Sequence, residues 1–259
     1  MQSWGLTDPG CVRKQNQDSY RIEQLDRGNL LCIVCDGMGG AKSGNIASSL
    51  AVDVFVEEVR RCWKPVMEQE KVDQMLRSAV KLANFTVYDQ SRQFEEFDGM
   101  GTTLVAVMVR GRKATIVNVG DSRAYHVGKG GIRQVTKDHS LVQMMVDRGD
   151  LTPEVAKSYP GKNFITRAIG TETTVLCDIF HLDVGKGDYL LLWQNDNTVV
   201  VGRNQNTAEE INADFVEKHR INVVRRSTGG GAVYHDMGNL NYSFITDAGE
   251  KEELSFARF

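Results

Sequence analysis

Apolar residues recur along this chain with two different periods. "LLCIVCDGMGG", starting at Leu30, reads as a buried strand that ends on Asp36 and enters a glycine turn. The segments "NIASSLAVDVFVEEVRRCW" and "KVDQMLRSAVKLANFTVYDQS" carry their apolar positions at helical spacing, with Val72, Met75, Leu76, Ala79, Val80 and Ala83 on one face of the second helix. The period then shortens. "TTLVAVMVRGRKATIVNVGDSRAYHVGKGGIRQVT" predicts an antiparallel meander of short strands. Residues 138–165 are polar, contain Pro153 and Pro160, and predict a helix-containing excursion. "YLLL", from Tyr189, is another strand. The tail predicts a strand over Thr198–Val201, a helix over about 207–219, a strand over Ile221–Arg225, a glycine loop and a strand over Asn241–Ile245. Between "YLLLW" and "TVVV" stand Gln194, Asn195, Asp196 and Asn197. Two readings are open there: the turn of a β-hairpin, or a join between two unrelated segments.

Composition narrows the class without naming a chemistry. The chain has 259 residues, 41% hydrophobic and 25% charged, as a soluble globular protein does. A net charge of −3 gives no electrostatic case for nucleic acid or an anionic membrane. No apolar run reaches membrane-spanning length, and the N-terminus lacks the basic start and apolar core of a secretory signal, so a cytoplasmic location is expected. Five cysteines do not suggest a disulfide framework. Cys32 and Cys35 form a CxxC with no second ligand pair, which reads as two buried strand thiols rather than a zinc site. Near residue 193 the composition changes. Residues 193–259 hold 8 asparagines against 6 in the preceding 192, and 7 basic and 10 acidic residues against 24 of each upstream.

Candidate chemistry begins with carboxylates at strand ends. Asp36 follows "CIVC" and precedes Gly37; Asp121 follows "TIVNVG". A rigid carboxylate beside a glycine, whose carbonyl can approach an ion, suits Mg²⁺ or Mn²⁺. Two such ions can clamp a phosphate and activate a bridging water, and Arg13 could fork onto the phosphate. Taken singly, an Asp-Gly after a strand is more often a turn. The order of motifs tips the balance: "VRKQNQDSY", "VCDGMGG", "MGTTLVAV", "VNVGDSRAY", "TKDHSL", "NFITRAIG" and "GDYLLL" follow one another. This series resembles the metal-dependent (type 2C) serine/threonine protein phosphatases in their bacterial form, over residues 1–192.

The resemblance implies an α+β fold, a four-layer sandwich of two antiparallel β-sheets flanked by helices. It implies hydrolysis of phosphoserine or phosphothreonine in protein substrates by metal-activated water, with two or three Mn²⁺ or Mg²⁺ ions. By position, Arg13 binds the phosphate, Asp18 supports water at the ions, Asp36 and the Gly37 carbonyl hold the metal pair, and Asp121 faces a third metal. This chain departs from the pattern twice. Met38 stands where some relatives have a histidine proposed as general acid. After "GDYLLL" the family continues with a small residue, Ser, Asp and Gly, whereas this chain has Trp193, Gln194, Asn195 and Asp196. Asn195 therefore occupies the place of the metal-bridging carboxylate, and a neutral amide offers a cation a single carbonyl oxygen. The family's final metal-binding Asp has no counterpart.

The tail carries a second constellation. "INVVRRSTGGGAVYHDMGNLNYSFI" places a strand, an arginine pair and three glycines ahead of His235 and Asp236. Glycines let a backbone close on a ligand, and their N–H groups can face an anion. With "WQNDNTVVVGRNQNTAEEIN" this string resembles lipoate–protein ligase from Trp193 to the last residue, Phe259. The resemblance places Arg226, Gly229, Gly230, Gly231 and His235 along lipoyl-adenylate, while the family's catalytic lysine and remaining core strands have no counterpart. The expected organisation is a phosphatase-like segment, 1–192, and a ligase-like fragment, 193–259, whose β-α-β-β elements leave the sandwich incomplete or complete it irregularly. Three functional readings follow: an impaired phosphatase; a non-catalytic phosphoprotein scaffold or an artificial fusion without function; and lipoate or lipoyl-adenylate binding by the glycine loop.

Overall fold

A computed structural model describes residues 3, 5, 7, 16–38, 43–128, 131–156, 159–162, 164–184, 189–194, 198–201, 205–219, 221–225, 232–235 and 240–245. Strands β1 (Asp18–Asp26) and β2 (Asn29–Met38) form an antiparallel pair, and helices α1 (Gly44–Cys62) and α2 (Gln69–Gln93) follow. A short strand β3 (Gly101–Thr102) leads into β4 (Leu104–Arg110) and β5 (Lys113–Val119). Then come β6 (Ala124–Gly128), β7 (Gly131–Gln134), α3 (Leu141–Arg148), α4 (Pro153–Ala156), β8 (Asp178–Asp183) and β9 (Tyr189–Gln194). The tail contains β10 (Thr198–Val201), α5 (Thr207–Glu210), α6 (Ala213–Lys218), β11 (Asn222–Arg225), β12 (Val233–His235) and β13 (Leu240–Ile245).

One sheet runs β1-β2-β4-β5-β8, with β3 attached to β2; a second runs β13-β9-β6-β7. Both are antiparallel throughout. Alternation along β2 assigns its two faces. Leu31, Ile33 and Cys35 pack with Phe55, Val56, Val59, Leu76 and Val80 of the helix pair. Leu30 and Cys32 face the other way, into a core with Val105, Val107 and Ile116 of the same sheet and Ala124 of the second. The first sheet is thus buried on both faces, which is why "LLCIVC" reads as a continuous apolar run. Val72, Met75, Leu76, Ala79, Val80 and Ala83 are all buried, as their 3.6-residue spacing predicts. Cys32 and Cys35 are free thiols at 1% and 0% exposure, strand residues as expected.

Three details differ from the sequence reading. The meander is not one sheet. β4 and β5 pair, but the chain crosses at Gly120–Arg123 into the second sheet, where β6 pairs with β7 and β9. Gly120 has φ +105°, a left-handed turn that permits the crossing. Secondly, Asp36–Gly37 is not a turn: β2 continues through both residues to Met38, because Gly37 finds Thr102 of β3 as its partner. Thirdly, the helix expected over about 207–219 is two short helices. Asn212 breaks it, its side-chain oxygen accepting from Phe215 N–H to cap α6.

The stretch around Gln194 is no hairpin. β9 pairs with β13 and β6, whereas β10 pairs in parallel with β11 and antiparallel with β12 in a separate three-stranded sheet. The parallel pair is joined through α5 and α6, a β-α-β crossover foreign to the two antiparallel sheets. Strand β13 returns to β9 over six register pairs, Ile245 opposite Tyr189 through Leu240 opposite Gln194. A strand of the tail thereby covers an edge of β9 that would otherwise be unpaired. Asn195, Asp196 and Asn197 lie outside the described residues.

Candidate active site

Asp18 and Asp36 are direct register partners across β1 and β2. Opposed residues of an antiparallel pair project from the same face, with Cβ atoms about 5 Å apart. By alternation that face is the one that carries Leu30 and Cys32, the face turned to the second sheet. The two carboxylates therefore stand at the end of the sandwich, at the seam between its sheets. Asp36 is exposed and Asp18 half-buried. Their charge is felt beneath them: burial first, and then Asp36 and Asp18, push the Cys35 thiol far up, so it stays protonated.

Backbone contacts hold Asp36 from behind. Thr103 Oγ1 accepts from the Asp36 N–H at 2.9 Å, and the Asp36 carbonyl accepts from Thr102 Oγ1 and Thr103 N, each at 2.9 Å. Gly37 N–H donates to the Gln17 carbonyl at 2.9 Å. No other residue fits at Gly37, where a Cβ would lie 1.9 Å from the Gly44 carbonyl oxygen and 2.7 Å from that of Gln17. The glycine pair, Gly37 against Gly44, lets the first turn of α1 sit on the strand.

Asp121 reaches the same seam by the sheet crossing. Burial, then Asp138 and Asp36, push its carboxyl up to about 6. Asp36 is therefore an electrostatic neighbour, although the two residues come from motifs 85 positions apart. Thr103 links the two strands of the site through its 2.7 Å bond to Ser122 Oγ. Asp138 receives Arg123 in a forked pair, Nε to Oδ1 at 2.8 Å and to Oδ2 at 3.0 Å. Burial works against the charge on Arg123, but Asp138 more than offsets it. Behind the turn, His139 is 6% exposed and bonded on both ring nitrogens, to Gly120 and to Asp178.

The donor set has the chemistry that a hard divalent cation requires. Every candidate donor is oxygen, and the charges crowding Asp121 are those that a cation would relieve. Asp36, the Gly37 carbonyl and Asp121 would hold it. Among the described residues no group of three His, Cys, Asp or Glu side chains closes around one point. Arg13 lies outside the described residues, as do Arg226 and Gly229–Gly231; His235 lies in β12. Sequence reasoning left Thr102, Thr103, Asp138, His139, Arg167 and Asp178 without roles. The signal was present in "MGTTLVAV", "TKDHSL" and "NFITRAIG", whose order was legible but whose convergence was not.

Comparisons with known proteins agree with this architecture. Residues 12–148 match the family model "Protein phosphatase 2C", and residues 175–259 match "Lipoyl protein ligase A/B catalytic domain", so segments of two families are joined in one chain. The chain is 32% identical over 231 residues to a serine/threonine phosphatase stp of Listeria monocytogenes, covering 87% of this chain and 89% of that protein. It is 37% identical over 188 residues to protein phosphatase PhpP of Streptococcus pneumoniae, covering 72% and 75% respectively. Among solved structures, serine/threonine phosphatase Stp1 from Staphylococcus aureus superposes with a TM-score of 0.67 at 36% identity, over 73% of this chain and 74% of that one. A bacterial serine phosphatase gives a TM-score of 0.70 at 27% identity, over 97% and 100%. No helix among the described residues is long and apolar enough to cross a membrane. With its paired strand carboxylates and its crossing aspartate at one seam of an antiparallel sandwich, the chain belongs to the protein phosphatase 2C family.

Proposed function

We propose that this protein is a metal-dependent serine/threonine protein phosphatase whose hold on its ions is weakened at Asn195. The observation that supports the reading is that Asp18 and Asp36 face each other in register and that the charge of Asp36 is felt at Asp121. When bound, Mn²⁺ or Mg²⁺ would supply positive charge for the phosphate and make a water more acidic. Asp36, the Gly37 carbonyl and Asp121 are the residues assigned to hold it. Asp18, rigid opposite Asp36, orients water for attack on phosphorus. Arg13 forks onto the phosphate oxygens of a phosphoserine or phosphothreonine protein. Asn195 replaces a carboxylate with a neutral amide, which lowers affinity for a doubly charged ion.

The test is hydrolysis of a phosphothreonine peptide across a Mn²⁺ titration, for the wild type, Asp36→Asn, and the double variant Asn195→Asp with Asp196→Gly. The wild type should turn over only at high Mn²⁺, Asp36→Asn not at all, and the double variant at Mn²⁺ concentrations roughly tenfold lower. Wild-type turnover no greater than that of Asp36→Asn would leave a non-catalytic phosphoprotein scaffold or a fusion without function.

A second reading rests on the tail. A cavity of about 660 Å³ lies there, with an apolar wall that includes Val199, Ile211, Phe215, Val216 and Ile221, and the same segment matches the lipoyl ligase family. It would accept the hydrocarbon of a lipoyl group. Calorimetry with a non-hydrolysable lipoyl-adenylate analogue tests it, and absence of heat at high micromolar concentration removes it.

A further inference from the structure

"TKDHSL" and "NFITRAIG" remain unexplained by the chemistry above, and they meet behind Asp121. His139 Nδ1 accepts the Gly120 N–H at 3.0 Å, and the His139 N–H donates back to the Gly120 carbonyl at 2.9 Å. That carbonyl also accepts from Asn118 Nδ2 at 3.2 Å. Since Nδ1 is an acceptor, the ring proton is on Nε2, which donates to Asp178 Oδ2 at 3.2 Å. Arg167 Nη1 donates to the other oxygen of the same carboxylate at 2.9 Å. The His139 carbonyl in turn accepts Thr166 N–H at 2.7 Å. Gly120 cannot shift to the other side, because Thr103 packs against its α-carbon, where a Cβ would lie 2.7 Å from a Thr103 methyl carbon.

We infer that His139, locked by Asp178 and Arg167, is the positioning residue that sets the direction in which Asp121 leaves the first sheet. It touches neither substrate nor ion; it grips the peptide of Gly120, immediately before Asp121, at both N–H and carbonyl. A left-handed glycine at a sheet crossing has wide conformational freedom, and a two-point grip removes it. A carboxylate held in this way is presented to a cation at no further entropic cost, as outer partners of metal ligands do elsewhere. The inference rests on the phosphatase reading for its consequence, but the grip itself is measurable without it.

Two substitutions separate gripping from packing. His139→Asn keeps an acceptor oxygen near the place of Nδ1. His139→Gln puts its polar group near Nε2 and leaves the Gly120 N–H without a partner. In metal-free protein, amide exchange followed by NMR should be at least tenfold faster at Gly120 and Asp121 in His139→Gln and near wild type in His139→Asn. Calorimetry with Mn²⁺ should show about a tenfold loss of affinity in His139→Gln alone. Equal behaviour of the two variants, either unchanged or weakened in step with global unfolding, overturns the inference. Should His139→Gln fail to fold, Asp178→Asn, which keeps the histidine but weakens its anchor, should show a smaller acceleration at the same two amides, and none there counts against the grip. Absence of Mn²⁺ binding by the wild type counts against the phosphatase reading and leaves the exchange measurement to judge the grip.

Discussion

Replacing Asp121 with Asn should stabilise the metal-free protein. The Asp121 carboxyl is pushed from an ordinary 3.8 up to about 6 by burial and by Asp138 and Asp36. Between those values the folded state binds more protons than the unfolded state, so this group costs the fold stability as pH rises through the window. Below pH 3.8 the penalty is absent, and above pH 6 it is complete. A shift of about two units corresponds to roughly 3 kcal/mol at 1.36 kcal/mol per unit, a ceiling because Asp121 keeps some contact with solvent. Asn retains the shape and loses the charge. The assay is urea unfolding in EDTA from pH 4.5 to 7.5, wild type against Asp121→Asn. The variant should be more stable at pH 7.5 by up to about 3 kcal/mol, with the gap shrinking steadily towards pH 4.5. Added Mn²⁺ should stabilise the wild type more than the variant and narrow the gap from the other side. A gap independent of pH, or a variant less stable than wild type in EDTA at pH 7.5, would refute the claim that crowded carboxylates at this seam strain the fold.

Three further outcomes are expected. Gly37→Ala should cost about 3 kcal/mol or more, since its methyl meets backbone on two sides, and the loss should appear as a lower urea midpoint without a change in the slope. Thr103→Val keeps the volume but strips the partner of the Asp36 N–H and the link to Ser122; about 1–3 kcal/mol of destabilisation should be measured by the same assay. Burial, aided by Arg167, holds His139 below its ordinary value of 6.5 despite Asp178. The unfolded chain therefore protonates first as pH falls below 6.5, and stability drops there. Because Asp121 titrates with the opposite effect in the same window, the readout is the difference: the melting temperature of the wild type relative to His139→Asn should fall as pH goes from 7.5 to 5.

Local pattern alone determined much of this protein. The helical spacing of Val72 to Ala83, the unbroken apolar run of "LLCIVC" and the short strands after Thr102 each report what neighbouring side chains bury, and burial is read from period and composition. The ordered motifs placed Asp18, Asp36, Gly37 and Asp121 in one family before any contact was known. The change in composition near residue 193 falls within the segment, 175–259, that matches the lipoyl ligase family; of its expected strands Thr198–Val201 forms as read, and Ile221–Arg225 forms over Asn222–Arg225. Partners distant in sequence were decided only by the tertiary structure. Asp36–Gly37 stays in a strand because Thr102 pairs with it; the meander splits because Gly120 turns left-handed against Thr103; "YLLLW" and "TVVV" part because β13 takes the edge of β9. Hydrogen bonds between segments have no local signature, so the grip of His139 on Gly120 could not be read from "TKDHSL".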